Sequence, residues 1–253
     1  MSDDRLTQLI TMSRNLAVPE RDYVIQGEGN TSARADAMSF WVKGSGCELR
    51  DITAEGFIRV ALDRVLPLFD RPSMSDQDVK DALETAKVDP GVKRRPSVET
   101  LIHALCLTTE GIEFVGHTHP VAVNALTCST AFETSFNGRL FPDEIVVCGP
   151  APLLLPYTDP GVPLACKLKE RMEEYTQRYG SAPRVVLMQN HGMIALGRTP
   201  DEVERITAMM VKTARILQGA LAAGGVHFLR PEDVERIHNR PDELYRRSQL
   251  GVR

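Results

Sequence analysis

No stretch of the 253-residue chain approaches the roughly 18 consecutive apolar residues that a membrane helix needs. Basic residues are not in excess either: 30 Lys and Arg stand against 34 Asp and Glu, a formal net charge of −4. A dedicated nucleic-acid binder would be basic overall or along one face, and a membrane-surface protein would carry a polybasic cluster. The opening MSDDRLTQLI has no apolar signal core, so nothing suggests export. Cysteines at CxxC spacing are missing. Cys47, Cys106, Cys128, Cys148 and Cys166 are odd in number and far apart, which argues against a disulfide framework or a cysteine metal cage. In their apolar surroundings they read as buried, reduced thiols of a cytoplasmic protein. Repeats, low-complexity tracts and linker-like runs are also missing, so residues 1–253 read as a single domain with a short helical C-terminal extension from about 226. That length is ample for a core without staples.

What is there alternates between helical and strand patterns. Residues 5–18 place Leu6, Leu9, Ile10 and Leu16 on one helical face. The Gly27–Asn30 stretch reads as a tight loop, followed by two strands within 31–42 around a turn near Asp36. A strand is expected at 57–62 and a helix at 75–87, opened by a capping box of Ser75 and Asp78. The next helix spans 97–110, with Ser97 as its N-cap and Gly111 as its stop. Residues 112–119 read as a strand halted by Pro120, then a helix at 120–128 and a strand at 144–148. A long helix covers 163–179 and ends at Gly180. Two apolar strands, 184–190 and 193–197, flank His191 and Gly192. Thr199-Pro200-Asp201-Glu202 is a strong helix start, and that helix runs to about 223. Short polar helices at 231–238 and 241–249 close the chain. The sum is an α/β protein whose hairpin-spaced strands predict a largely antiparallel sheet.

Six histidines are present, and His117-Thr118-His119 is the informative pair. Residues two apart on a strand project from one face, so both imidazoles can reach one point at the strand end before Pro120. Such a pair suits a borderline metal such as zinc; two surface histidines are the plainer alternative. His191 is the candidate third ligand, or else a hydrogen-bonded turn residue. Three histidines with one position left over describe a catalytic zinc site rather than a structural one. Glu99, in the first turn of its helix, is a candidate acid/base, although the helix dipole alone accounts for an acid there. His103 follows one turn later on the same face and reads as a group behind the site or as a solvated or core-edge histidine. The Gly27–Ser32 and Lys43–Gly46 segments can cradle an anion with backbone N–H groups, or serve simply as turns. Neither has Walker spacing or a dinucleotide fingerprint.

Together, four ordered blocks resemble the class II aldolase and adducin-head family over about residues 5–225. They are Gly29-Asn30-Thr31-Ser32, Pro96-Ser97-Val98-Glu99, His117-Thr118-His119-Pro120 and Asn190-His191-Gly192. The Gly-Glu-Gly-Asn-Thr-Ser and Trp-Val-Lys-Gly-Ser-Gly strings look most like the aldolase part of rhamnulose-phosphate aldolase/dehydrogenase-type proteins; a chain of this length leaves no room for the dehydrogenase part. The resemblance implies a three-layer αβα domain with a mainly antiparallel central sheet, assembled as a homotetramer with active sites at subunit interfaces. It implies that His117, His119 and His191 bind Zn2+ or another divalent metal, and that Glu99 is the acid/base. Gly29, Asn30, Lys43, Ser45, Gly46 and Ser97 would bind the substrate and its phosphate. The implied activity is metal-dependent cleavage of a C–C bond in a sugar-derived, phosphorylated ketose through an enediolate. The alternatives are a decarboxylase of a 3-oxo sugar-acid phosphate and a non-catalytic adducin-like interaction module. One departure stands out: Val98 replaces a second serine of the phosphate block, so Lys43 compensates or the distal group is not a phosphate. Tyr245 is the candidate for the tyrosine proton donor that some members carry.

Overall fold

The computed structural model describes residues 2–71 and 73–250. The chain begins with α1 (Ser2–Leu16), crosses the Gly-rich loop and forms a meander of β1 (Asn30–Arg34), β2 (Ser39–Lys43) and β3 (Phe57–Ala61). Then follow α2 (Leu62–Val65), α3 (Asp76–Thr85), α4 (Thr100–Thr108), β4 (Phe114–Thr118), α5 (Val121–Thr127), α6 (Phe132–Ser135) and α7 (Pro142–Cys148). The rest comprises β5 (Leu153–Leu155), α8 (Val162–Tyr179), β6 (Val185–Met188), β7 (Gly192–Gly197), α9 (Pro200–Ala222), α10 (Pro231–Asn239) and α11 (Pro241–Leu250).

Among the described residues the strands form one sheet in the order β3-β2-β1-β4-β7-β6-β5. β6 and β7 are apolar on both faces, as expected of strands covered on both sides. Val186, Met188, Ile194 and Leu196 join one core with Leu101, Leu168 and Met172 from α4 and α8. Their strand neighbours Val185, Leu187, Met193 and Ala195 join the other, with Leu9, Val203, Ile206 and Met210 from α1 and α9. The period-2 alternation of a strand therefore splits the sheet residues between two cores.

Local chemistry sets the main helices. Ser75 and Asp78 form the expected capping box of α3. Thr199 accepts a hydrogen bond from the Glu202 N–H at the start of α9, with Pro200 at its first turn. Gly180 ends α8 in the left-handed conformation.

Four expectations need correction. The sheet is mixed rather than mainly antiparallel in character: β5 runs parallel to β6, while the β1–β2, β1–β4, β2–β3, β4–β7 and β6–β7 pairs are antiparallel. Parallel neighbours need a crossover, and α8 supplies it between β5 and β6. Residues 144–148 are helical, not extended, because Pro142 opens a turn and two buried arginines take the carbonyls at its end. Arg139 donates to the carbonyls of Cys148 and Gly149, and Arg184 to those of Val146 and Val147. The N-cap of α4 is Glu99 rather than Ser97, since residues 97–100 first form a separate turn in which Thr100 N–H reaches the Ser97 carbonyl. Finally, Cys128 is exposed, whereas Cys47, Cys106 and Cys148 are buried and Cys166 is half-buried.

Candidate metal centre

Four pieces of chain meet at one end of the sheet. The strand β4 delivers His117, and His119 follows just beyond its end. Next to β4 in the sheet are β1, where Asn30 pairs with His117, and β7, where Met193 pairs with Thr118. The turn between β6 and β7 carries His191, and α4 brings Glu99 at its N-terminus. The turn is tight because Asn190 takes a positive φ of 55°, a conformation asparagine tolerates. Asn190 N–H is anchored to the Thr127 carbonyl at 3.1 Å, and the Asn124 amide donates to the His191 carbonyl at 3.0 Å.

One ligand atom from each of His117, His119 and His191 lies within 4.8 Å of the others. The rings stand edge to face, with centroids 4.7, 4.8 and 5.2 Å apart. Two of them are fixed from behind. His117 Nδ1 donates to the Met193 carbonyl at 2.9 Å, and His119 Nδ1 donates to the Glu28 carboxylate at 3.1 Å. Their Nε2 atoms then face each other, 2.9 Å apart. Three converging imidazoles, two of them with the second nitrogen tied to a carbonyl or carboxylate oxygen, are a donor set that fits Zn2+ or a similar divalent ion. His117 and its neighbours would hold it through Nε2.

Glu99 faces this group. Its Oε1 lies 3.0 Å from His191 Nε2 and 3.6 Å from His117 Nε2. Burial alone would raise its carboxyl, but His117 and His191 together outweigh burial and hold it well below the usual range. His117 is pulled down by burial and lifted further by the Glu99 carboxylate, for a net rise. His119, half-buried and beside two other imidazoles, is pushed down to about 3 by desolvation and by those neighbours. Neutral imidazole is the form that binds a metal.

The remaining predicted residues divide. Asn30 is buried, and its amide is spent: Nδ2 donates to Glu99 and Oδ1 meets His103. Lys43 is also buried, and its ammonium turns back to the carbonyls of Gly27 and Gly29 at 2.6 and 2.7 Å. Burial lowers its pKa. The ammonium thus ties β2 to the Gly-rich loop. Gly29 has φ 67°, and a β-carbon there would sit 2.8 Å from the His117 carbonyl oxygen, so only glycine lets the loop lie on β4. Ser45 N–H is taken by the Arg95 carbonyl at 2.9 Å. Gly46 lies next to it with φ 78°, and both residues are exposed. Ser97 Oγ is shielded from water and has no hydrogen-bond partner. Val98 is half-buried and packs against the core that includes Leu101 and Ile102 of α4. Tyr245 is exposed on α11.

The residue reading missed Glu28 as the partner of His119, and left His103 undecided between roles. The second has a visible signal, the four-residue spacing from Glu99; the first has none, because 91 residues separate Glu28 from His119.

Comparison with known proteins gives the family and the fold. The family described as Class II Aldolase and Adducin N-terminal domain matches residues 7–218. The uncharacterized oxidoreductase YuxG of Bacillus subtilis (strain 168) is 30% identical over 233 residues, covering 87% of this chain and 31% of the relative. The chain thus spans about a third of that relative's length. The N-terminal class II aldolase domain of a conserved protein from Thermoplasma acidophilum superposes with a TM-score of 0.63 at 26% identity, over 83% of this chain and 92% of that one. An L-fuculose 1-phosphate aldolase superposes with a TM-score of 0.71 over 95% and 97% of the two chains. At 20% identity that second likeness is one of fold.

Proposed function

The chain belongs to the Class II Aldolase and Adducin N-terminal domain family, and from that membership we propose that it is an aldolase-type lyase dependent on a divalent metal, zinc first. Its substrate is a sugar-derived, phosphorylated ketose. The observation that carries the reading is the pairing of three convergent histidines with a carboxylate 3.0 Å from one of them. A scaffold module has no use for such a set, and perturbed acids and bases cluster where chemistry is done.

When bound, the ion supplies Lewis acidity that stabilises negative charge beside a carbonyl. The protein's own groups do the rest. His117, His119 and His191 supply neutral donors and leave the ion's charge uncancelled. Glu99, fixed at Oε2 by Asn30, presents Oε1 to the reacting carbons. It moves the proton to the carbon whose bond to the leaving aldehyde has broken, or removes it in the reverse direction. Ser45 and Gly46 form the polar rim that receives the distal group, with the unpartnered Ser97 hydroxyl available behind it. Lys43 contributes indirectly, by pinning the loop that contains Gly29 and Asn30. The same reading carries a cytoplasmic homotetramer, expected in light scattering at four times the chain mass.

The test is elemental analysis of the purified chain followed by a screen of ketose phosphates for aldehyde release. One divalent ion per chain and release of an aldehyde support the reading. Carbon dioxide release from a 3-oxo sugar-acid phosphate would replace it with the decarboxylase. Absence of metal after incubation with zinc would overturn it in favour of an adducin-like module. Glu99→Gln is expected to keep the metal and lose most turnover; full turnover in that variant removes Glu99 from the mechanism.

A further inference from the structure

Behind Glu99 runs a chain of buried polar groups that includes none of the three histidines of the candidate centre. Ser32 Oγ lies 2.6 Å from His103 Nδ1. His103 Nε2 meets Asn30 Oδ1, and Asn30 Nδ2 meets Glu99 Oε2. Ser32 and His103 have no measurable exposure, and Asn30 retains 5%. Asn30 and Ser32 are two apart on β1 and share a face; His103 lies one turn beyond Glu99 on α4. The relay therefore ties β1 to the helix that carries the acid.

The direction of every bond in it follows from one end. An ionised carboxylate only accepts, so the Asn30 atom against Glu99 is its NH2. The Asn30 oxygen then faces His103, and the ring nitrogen against that oxygen must carry the proton. His103 is the Nε2–H tautomer, and its bare Nδ1 accepts from the Ser32 hydroxyl. Burial keeps the imidazole neutral, its pKa pushed down to about 3. Every member is satisfied, and a satisfied buried network holds one geometry.

We propose that His103 is a positioning residue, which fixes the Asn30 amide and through it one oxygen of Glu99, leaving the other oxygen for proton transfer. The proposal rests on the lyase reading for the use made of Glu99, but the relay itself is independent of it. Without the His103 donor, the Asn30 amide is free to rotate its oxygen toward the carboxylate. Two acceptors then face each other, and Glu99 is released from the geometry that proton transfer needs.

Two measurements on the zinc-treated full chain decide this. The first is long-range 1H–15N NMR of histidine-labelled protein, with the His103 signals identified by their loss in His103→Gln. The Nε2–H form at neutral pH is expected; the Nδ1–H form or a tautomer mixture overturns the relay. The second compares His103→Leu with His103→Gln, whose amide restores a donor. His103→Leu is expected to bind zinc as the wild type does and to lose about 10–100-fold in kcat, with KM changed by less than about threefold; His103→Gln recovers most of the loss. Unchanged kcat in His103→Leu, or equal loss in both variants, overturns the positioning role. Should His103→Leu not fold, the tautomer and the His103→Gln kinetics still decide. If the wild type cleaves no ketose phosphate, the lyase reading falls, whereas the NMR result judges the relay alone.

Discussion

A β-carbon on Gly192 would lie 2.6 Å from the Thr118 carbonyl oxygen, 2.7 Å from His119 Cδ2 and 3.3 Å from His117 Cε1. The carbonyl belongs to a paired strand and cannot retreat, so the imidazoles would have to move. Gly192→Ala is therefore expected to weaken zinc binding by about 10–100-fold, measured by competition with a chromophoric chelator; unchanged affinity would mean that the rings yield at no cost. His103 makes a prediction about acid. Burial lowers its pKa from 6.5 to about 3, so below 6.5 the unfolded chain takes up a proton that the folded chain refuses. Its contribution to stability is full above about 6.5 and is lost as pH falls toward 3. The urea midpoint should fall over that window, and less steeply in His103→Gln; equal slopes would show that His103 titrates normally. At this scale the sequence is legible where residues are close together. His117 and His119 are two apart, and strand geometry alone aligns them. The family blocks point Asn30 and Lys43 at the substrate, and the fold gives the polar groups of both hydrogen-bond partners within the protein. No spacing rule says whether an amide or an ammonium already has a partner.

At the scale of elements, α7 shows how an apolar run can be misassigned. Ile145-Val146-Val147-Cys148 has β-branched residues and no polar residue to reveal a period. Its helical state depends on guanidinium groups from outside it, Arg139 and Arg184, and on the buried Arg139–Glu144 pair at 2.7 Å. Arg139→Leu removes two carbonyl contacts and strands the Glu144 charge. A loss of about 3–5 kcal/mol is expected in urea unfolding; a loss below 1 kcal/mol would show that Arg184 suffices. By contrast α3, α8 and α9 were readable to within a few residues, since Ser75, Gly180 and Thr199 act on backbone groups in their own turn. The short β5 was not readable: three apolar residues pair with β6 only after α8 has crossed over.

At the scale of the whole molecule, the candidate centre stands on a sheet gripped by two cores, and its two strand-borne imidazoles are oriented by protein oxygens. Chelation is therefore expected to leave the far-UV circular dichroism unchanged while Tm falls. Zinc present at a hundred times its Kd stabilises by about 2.7 kcal/mol, and the fall in Tm should track that amount. Loss of secondary structure on chelation would instead make the metal part of the folding nucleus.

What the sequence determines by itself is what neighbouring residues decide together: caps and stops of the long helices, the apolar pair β6 and β7, the shared face of His117 and His119, and the four ordered blocks of a family. What the tertiary structure alone decides is which distant groups share hydrogen bonds. Glu28 reaches His119 across 91 residues, and His103 reaches Asn30 across 73. The physical reason is that such contacts depend on strand order and on the packing of helix against sheet. Both are set by the balance of the two cores rather than by any local pattern.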